Sequence, residues 1–210
     1  MVPVSSRTPQ RRRRSRTAAA ATGVLFLALA GCAGEPAPEP STVEPTAEST
    51  PLADYDTADL TLVPGDFCAL VDEDATAEAL GGEATAEKAW QPGTRLPGSK
   101  DVSNEFGCSW TAGTVTASAW VFAASITAQR AGDVVTEAVG GRCERLATAP
   151  SLGETSVAQR CRGAGLTGIA GLIGDAWVGC EISGLHKPDV DEIAVVGEWC
   201  VGVIEALREA

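Results

Sequence analysis

Residues 106–123 read FGCSWTAGTVTASAWVFA, and this stretch decides the fold. Its second half alternates small or apolar residues with threonine, serine and aromatic residues, which is the two-residue period of a half-buried strand. The pair Ala112-Gly113 lies between the two halves and favours a tight turn. The sequence therefore predicts a β-hairpin with strands over 106–111 and 114–123.

The segments around this hairpin predict further strands and several helices. Asp66 and Asp74 are placed to cap two short helices, the second of which ends at Gly81-Gly82. The longer elements are predicted as helices over 126–139 and 191–208, and as strands over 155–162, 166–173 and 175–183. In the last helix the apolar residues recur at helical spacing, at Ile193, Val196, Cys200, Val203, Ile204 and Leu207.

The order of these elements predicts an α+β fold, in which an antiparallel sheet is covered on one face by helices. Helix, strands, helix, strands and helix follow one another, and this repeated order suggests an internal duplication. The stretch from residue 60 to residue 210 is long enough to form one hydrophobic core.

The N-terminus has the pattern of an export signal. Six arginines and no acidic residue lie in the first sixteen positions, and an apolar run over 18–30 follows them. This run is shorter than the roughly 20 residues of a membrane-spanning helix and is typical of a secretory signal. It ends in Leu29-Ala30-Gly31-Cys32, which resembles the lipobox of bacterial lipoproteins. The resemblance implies that Leu29, Ala30 and Gly31 are the recognition positions and that Cys32 carries the diacylglyceryl group.

Residues 33–59 are rich in proline and acidic residues and contain no basic residue. Such a composition cannot bury enough apolar surface to order itself, so a disordered tether is predicted. The expected organisation is a lipoprotein signal peptide over 1–31, the lipidated cysteine and tether over 32–59, and a single α+β domain over 60–210. We expect the acyl chains to hold the protein at the outer face of the cell membrane.

Charge and composition exclude several classes of function. Loss of the six N-terminal arginines changes the net charge from −12 to −18, and so acidic a chain repels nucleic acid. The single histidine, His186, excludes zinc sites that need several histidines. We predict no cofactor and no metal site. The expected partners are the membrane, through the lipid anchor, and an envelope protein or small ligand of unknown identity.

Six cysteines remain in the predicted domain, an even number in a chain bound for an oxidising space. Three disulfides are therefore expected, and six cysteines permit fifteen pairings. Bridges between helices and strands favour the pairs Cys68 with Cys108, Cys143 with Cys161, and Cys180 with Cys200. The last four of these cysteines admit other connectivities.

Three short motifs lie at 66–71 (DFCALV), 107–110 (GCSW) and 172–176 (LIGDA). Together with the lipobox and tether they resemble a family of small cysteine-containing lipoproteins from high-GC Gram-positive bacteria, whose domain has no known function. The resemblance implies a lipid-anchored α+β domain with a cysteine pair that joins the first helix to the Cys-Ser-Trp strand. It implies no catalytic residues.

Trp120 and Phe122 share one face of the second hairpin strand. If that side of the sheet is uncovered, they form an exposed aromatic pair suited to a ligand or a partner. No arrangement of catalytic residues is evident, so we expect a non-enzymatic binding or interaction module of the cell envelope. The alternatives are an envelope hydrolase that uses aspartate or glutamate, and a structural envelope component.

Replacement of the expected lipid attachment site provides a direct test of the anchor. In Cys32→Ala the thiol that accepts the diacylglyceryl group is lost, so the protein is released to the medium or remains as an uncleaved precursor. Membrane fractionation and the mass of the mature N-terminus measure this. A fully processed, membrane-bound Cys32→Ala protein would contradict the assignment.

Overall fold

The computed structural model describes residues 50–95, 100–138, 143–163, 165–185 and 190–210. The predictions on 1–31, on Cys32 with most of the tether, and on His186 concern residues outside these ranges. None of the helices in the described ranges is long and apolar enough to span a bilayer.

A seven-stranded antiparallel sheet forms the centre of the domain, in the spatial order β1-β2-β3-β7-β6-β5-β4. The strands are β1 (Ala86–Trp90), β2 (Glu105–Ala112), β3 (Val115–Phe122), β4 (Cys143–Arg145), β5 (Ser156–Cys161), β6 (Leu166–Ile173) and β7 (Ala176–Ser183). The predicted hairpin and the three later strands are confirmed. Strands β1 and β4 were not predicted, because β1 contains Glu87 and Lys88, residues rare in strands, and β4 has only three residues.

Within the described ranges three α-helices accompany the sheet: α1 (Glu73–Leu80), α2 (Ala128–Ala138) and α3 (Glu192–Glu209). They match the predicted helices, and Asp191 caps α3 by accepting the backbone N–H of Ile193. The predicted cap of α1 was wrong by two positions. Asp72, not Asp74, accepts the N–H groups of Asp74 at 2.8 Å and Ala75 at 3.1 Å.

The helices lie on both faces of the sheet, which corrects the prediction of a single covered face. Helices α1 and α3 pack on the core face, defined by residues such as Ala119, Val178 and Cys180. Helix α2 packs through Ala131 on the opposite face, here called the pocket face, against Trp177 and its neighbours. The reason is that α3 already fills the core face, so the apolar stripe of α2 has to find a separate surface.

The order of elements repeats in part, since the three-stranded meander β1-β2-β3 precedes α2 and the four-stranded meander β4-β5-β6-β7 precedes α3. These two helices nevertheless lie on opposite faces of the sheet. A rotation that superposes the two antiparallel meanders would place both helices on the same face. The arrangement of the helices therefore does not support the predicted internal duplication.

The folded part begins before residue 60, which corrects the predicted end of the tether. Leu52 lies in a short 3₁₀ helix (Leu52–Asp54), is only 4% exposed and belongs to the main core. A Cβ added at Gly197 of α3 would lie 3.2 Å from the Cβ of Leu52. The Tyr55 hydroxyl donates a hydrogen bond to Glu205 on the same helix. These contacts order a segment that, by its composition, belongs to the predicted tether.

Two of the three predicted disulfides are present. Cys68 in the 3₁₀ helix Cys68–Leu70 is bonded to Cys108 on β2. Cys143 and Cys161 are direct cross-strand neighbours on β4 and β5, with Cα atoms 4.0 Å apart. In the loop-entropy description a bridge that closes about 40 residues stabilises the fold by about 4 kcal/mol.

The third predicted disulfide, between Cys180 and Cys200, is wrong. Both residues carry free thiols and are completely buried where α3 packs on β7. Burial raises the pKa of the Cys200 thiol well above its usual range, and a hydrogen bond with Cys180 raises it further. The two thiols are therefore hydrogen-bonded neighbours that are not joined by an S–S bond.

Peptide mapping distinguishes these pairings. Trypsin does not cleave between Lys187 and Pro188, so residues 163–208 form one peptide that contains Cys180 and Cys200. After alkylation of the denatured, unreduced protein we expect two labels on this peptide, together with a disulfide-linked pair of the peptides 143–145 and 161–162. A peptide 163–208 that lacks both labels and is lighter by two hydrogens would contradict the free thiols.

Candidate functional site

Aromatic rings and glycines alternate across the pocket face. The strand register places Trp90, Gly107, Trp120 and Gly179 in one row over β1, β2, β3 and β7. A Cβ added at Gly107 would lie 2.3 Å from Trp90 Cζ2, and one added at Gly179 would lie 2.3 Å from Trp120 Cζ2. The two indole rings therefore lie directly on the backbone of the next strand, and only glycine leaves room for them.

The next row of the same face is polar. It crosses all seven strands through residues that pair in register, namely Lys88, Ser109, Ser118, Glu181, Gly168, Gln159 and Arg145. This polar row runs beside the aromatic row at a distance of two residues along each strand. Apolar contact area and hydrogen-bonding groups are thus side by side on one surface, which is the usual composition of a ligand site.

A pocket of about 190 Å³ lies between these rows and helix α2. The sheet contributes Trp120, Phe122 and Glu181 to its lining, and the helix contributes Val134 and Ala138. Trp120 and Phe122, predicted as a binding pair, are thus brought to one pocket, and both are half-buried. They do not form an open aromatic surface, because α2 covers part of this face.

Glu181 is the titratable group of the pocket. Burial raises the pKa of its carboxyl to about 7, and the carboxylate of Glu105 adds to the shift. Opposite it on β6 stands Gly168, where an added Cβ would lie 3.1 Å from the Cβ of Glu181. Within the described residues the Glu181 carboxyl has no hydrogen-bond partner, so neither the proton nor the negative charge is stabilised there.

Gln159 on β5 is the second unusual polar residue of this pocket. Its Oε1 atom is buried and has no hydrogen-bond partner. A buried acceptor without a donor costs about 1 to 3 kcal/mol. Among the side-chain atoms that the structure describes, Gln159 Oε1 is alone in this condition.

Glu105 lies on the same face but outside the pocket. The Trp90 indole N–H donates to Glu105 Oε1 at 3.2 Å. Burial raises the pKa of Glu105, and the hydrogen bond from Trp90 partly opposes this effect. Glu105 lines a neighbouring cavity of about 400 Å³ with Ile126 and Arg130, and Phe122 borders both cavities.

A further cavity of about 600 Å³ lies beside α1 and is lined by several carboxylates, including Glu73, Glu83 and Glu87. These side chains are exposed to water. Their charges are solvated, and none of the described polar atoms that line the cavity is buried without a partner. This cavity therefore lacks the unpartnered groups that distinguish the pocket at Trp120.

Sequence reasoning found the aromatic residues of the pocket but missed its two polar ones. A charged residue in the otherwise apolar run Ala176–Ser183 is a signal that could have identified Glu181. Gln159 gives no local signal, because strand β5 alternates polar and apolar residues in the ordinary way. Its role depends on Gly168, which separates it from Glu181 by one strand.

No protein-family model, curated protein or solved structure matches this chain. The resemblance to small lipoproteins of high-GC Gram-positive bacteria therefore stays a prediction. The function of the pocket is therefore inferred from the side chains that line it.

The raised pKa of Glu181 predicts a pH-dependent stability. Between its ordinary value of 4.5 and about 7 the folded protein keeps a proton that the unfolded chain releases, so stability falls as the pH rises through this interval. Glu181→Gln removes this penalty and should raise the free energy of unfolding at pH 8 by up to about 3 kcal/mol, with little effect at pH 4. Urea unfolding at pH 4, 6 and 8 measures it.

Glu154→Gln is the matched control, because it removes the same charge from an exposed position that lines no cavity described above. We expect its unfolding free energy to follow that of the unmodified protein at every pH. A Glu181→Gln protein whose stability differs from the parent by the same amount at pH 4 and pH 8 would contradict the raised pKa.

Proposed function

We propose that this chain is a lipid-anchored binding module at the outer face of the cell membrane and that its pocket holds a small ligand. The anchor rests on the lipobox-like segment that ends at Cys32. Disulfides persist in oxidising compartments, so the bridges Cys68–Cys108 and Cys143–Cys161 agree with export. The tether before the domain would hold the pocket away from the lipid surface.

One observation carries the binding role: the buried, unpartnered Gln159 Oε1 atom and the half-buried Glu181 carboxyl line the same small pocket as two half-buried aromatic side chains. Binding of a ligand in such a pocket is energetically favourable, because the ligand supplies hydrogen-bond partners for Gln159 and Glu181 and covers Trp120 and Phe122. A purely structural component of the envelope has no use for unpartnered polar groups that lower its stability.

The arrangement favours binding over hydrolysis. Glycoside hydrolysis by carboxyl groups requires two of them on opposite sides of one bond. Glu181 and Glu105 both have raised pKa values, which is the property expected of catalytic acids. They line different cavities, with Phe122 between the two, so they do not face one substrate bond.

A neutral aromatic probe tests the binding role. We expect benzyl alcohol to cause saturable shifts of the indole N–H signals of Trp120 and Trp177, both in the pocket lining, in NMR spectra of the full chain. The signals of Trp90 and Trp199 serve as internal references, because both donate hydrogen bonds elsewhere. Trp120→Ala should abolish the saturable shifts.

Trp90→Ala is the matched control, since Trp90 lies on a glycine in the same row but does not line the pocket. This variant should bind the probe like the unmodified protein. Shifts spread over all the tryptophans, or saturable binding that survives Trp120→Ala, would contradict the assigned site. The proposed function fails if neither benzyl alcohol nor its charged analogues produce a saturable shift.

A further inference from the structure

Two acceptor side chains in the pocket lining have oxygen atoms without a hydrogen-bond partner in the described chain. Glu181 offers a carboxyl group and Gln159 offers a buried, unpartnered Oε1 atom. No basic side chain is among the described residues that line the pocket. The basic residues of the polar row, Lys88 and Arg145, stand on the outer strands β1 and β4 and are exposed.

We propose that the pocket binds a small organic cation, a primary or secondary ammonium group carried on an apolar body. This inference rests on the proposed ligand-binding role and names the class of ligand. An anion would meet the carboxylate of Glu181 and a strongly acidic chain without a basic partner. A neutral ligand would leave the Glu181 carboxylate without a counter-charge.

Each part of such a ligand has a partner in the pocket. The ammonium group pairs with the Glu181 carboxylate, and one of its N–H groups donates to Gln159 Oε1. Trp120 has one ring face on the backbone of Gly179 and is only half-buried, so its remaining surface can contact the cation. The apolar body contacts Phe122, whose ring centroid lies 6.4 Å from that of Trp177.

The size of the pocket restricts the ligand. Its volume of about 190 Å³ is below the 300 to 1,000 Å³ of pockets that enclose drug-sized molecules. It therefore accepts either a small amine or the amine-bearing end of a longer molecule. Helix α2 contributes only the uncharged residues Val134 and Ala138, so it adds no competing charge.

Protonation of Glu181 makes binding of a cation pH-dependent. Its neighbours along the row, Ser118 on β3 and Gly168 on β6, carry no charge, and the charged group that acts on it is Glu105 on β2. The cation requires the ionised carboxylate, since a neutral acid offers no counter-charge. Affinity should therefore fall about tenfold between pH 8 and pH 6, because the ionised fraction falls by that factor around a pKa of about 7.

Four probes that share an aromatic ring and differ in charge are compared in the full chain, with the NMR signals of Trp120 and Trp177 as the readout. They are benzylammonium, benzyltrimethylammonium, benzyl alcohol and benzoate. At pH 8 we expect benzylammonium to bind at least about tenfold more tightly than benzyl alcohol, as a charge-assisted contact predicts, and benzoate not to bind. At pH 6 the advantage of benzylammonium should largely disappear.

Two variants test the named contacts. Glu181→Gln should lower the affinity for benzylammonium to that for benzyl alcohol, while Glu154→Gln, with the same change of charge, should not. Gln159→Met should weaken benzylammonium but spare benzyltrimethylammonium, which has no N–H to donate. Equal losses for both cations would overturn the role of Gln159 as acceptor.

The outcomes separate this inference from the proposed function. Equal affinity for benzylammonium and benzyl alcohol, tighter binding of benzoate, or a preference for the cation that survives Glu181→Gln would overturn the cation site and leave a ligand pocket in place. Binding of benzylammonium alone would support both. Absence of binding by all four probes would overturn both.

Discussion

The pairing of β3 with β7 is the contact on which the rest of the sheet depends. It joins the meander β1-β2-β3 to the meander β7-β6-β5-β4, and no other strand pair connects them in the described chain. Trp120 lies on Gly179 at this seam, and a side chain at position 179 would collide with the ring. A register shift of one residue would move every side chain of β7 to the other face and would place Glu181 in the main core.

The core face of the sheet is packed more completely than the pocket face. On the core face Trp199 meets Trp110 edge to face, with ring centroids 5.3 Å apart, and its indole N–H donates to the Ser118 carbonyl at 3.1 Å. Of the described helices, α2 alone packs on the pocket face, and a cavity lies beside it. A well-filled core face with the Cys68–Cys108 disulfide can tolerate the loss of stability that unpartnered groups cause on the other face.

Glu181 is the clearest example of a residue on the pocket face that lowers stability. A carboxyl with a pKa near 7 and no hydrogen-bond partner in the described chain lowers stability at neutral pH. Gly168 permits the close approach of β6 to Glu181. Because Gly168 has no side chain, it also leaves open the space between Glu181 and Gln159, which line one pocket. The feature that costs stability is therefore the same feature that a positively charged ligand would relieve.

The amino-acid sequence determined the local elements. The two-residue alternation in 114–123 and the helical stripe of the last segment are local patterns, and they correctly placed the central hairpin, the later strands and α3. They also put Trp120 and Phe122 on one face. Two of the three predicted disulfide pairs are present, although Cys143–Cys161 joins two strands and not, as predicted, a helix to a strand.

Only the tertiary structure decided which face α2 covers, that Leu52 belongs to the core, and that Glu181 and Gln159 line one pocket on either side of Gly168. Periodicity fixes the direction of a side chain relative to its own strand, but not the register between strands that are distant in sequence. The register follows from the simultaneous packing of the whole sheet against its helices, and the candidate site exists only once that packing is complete.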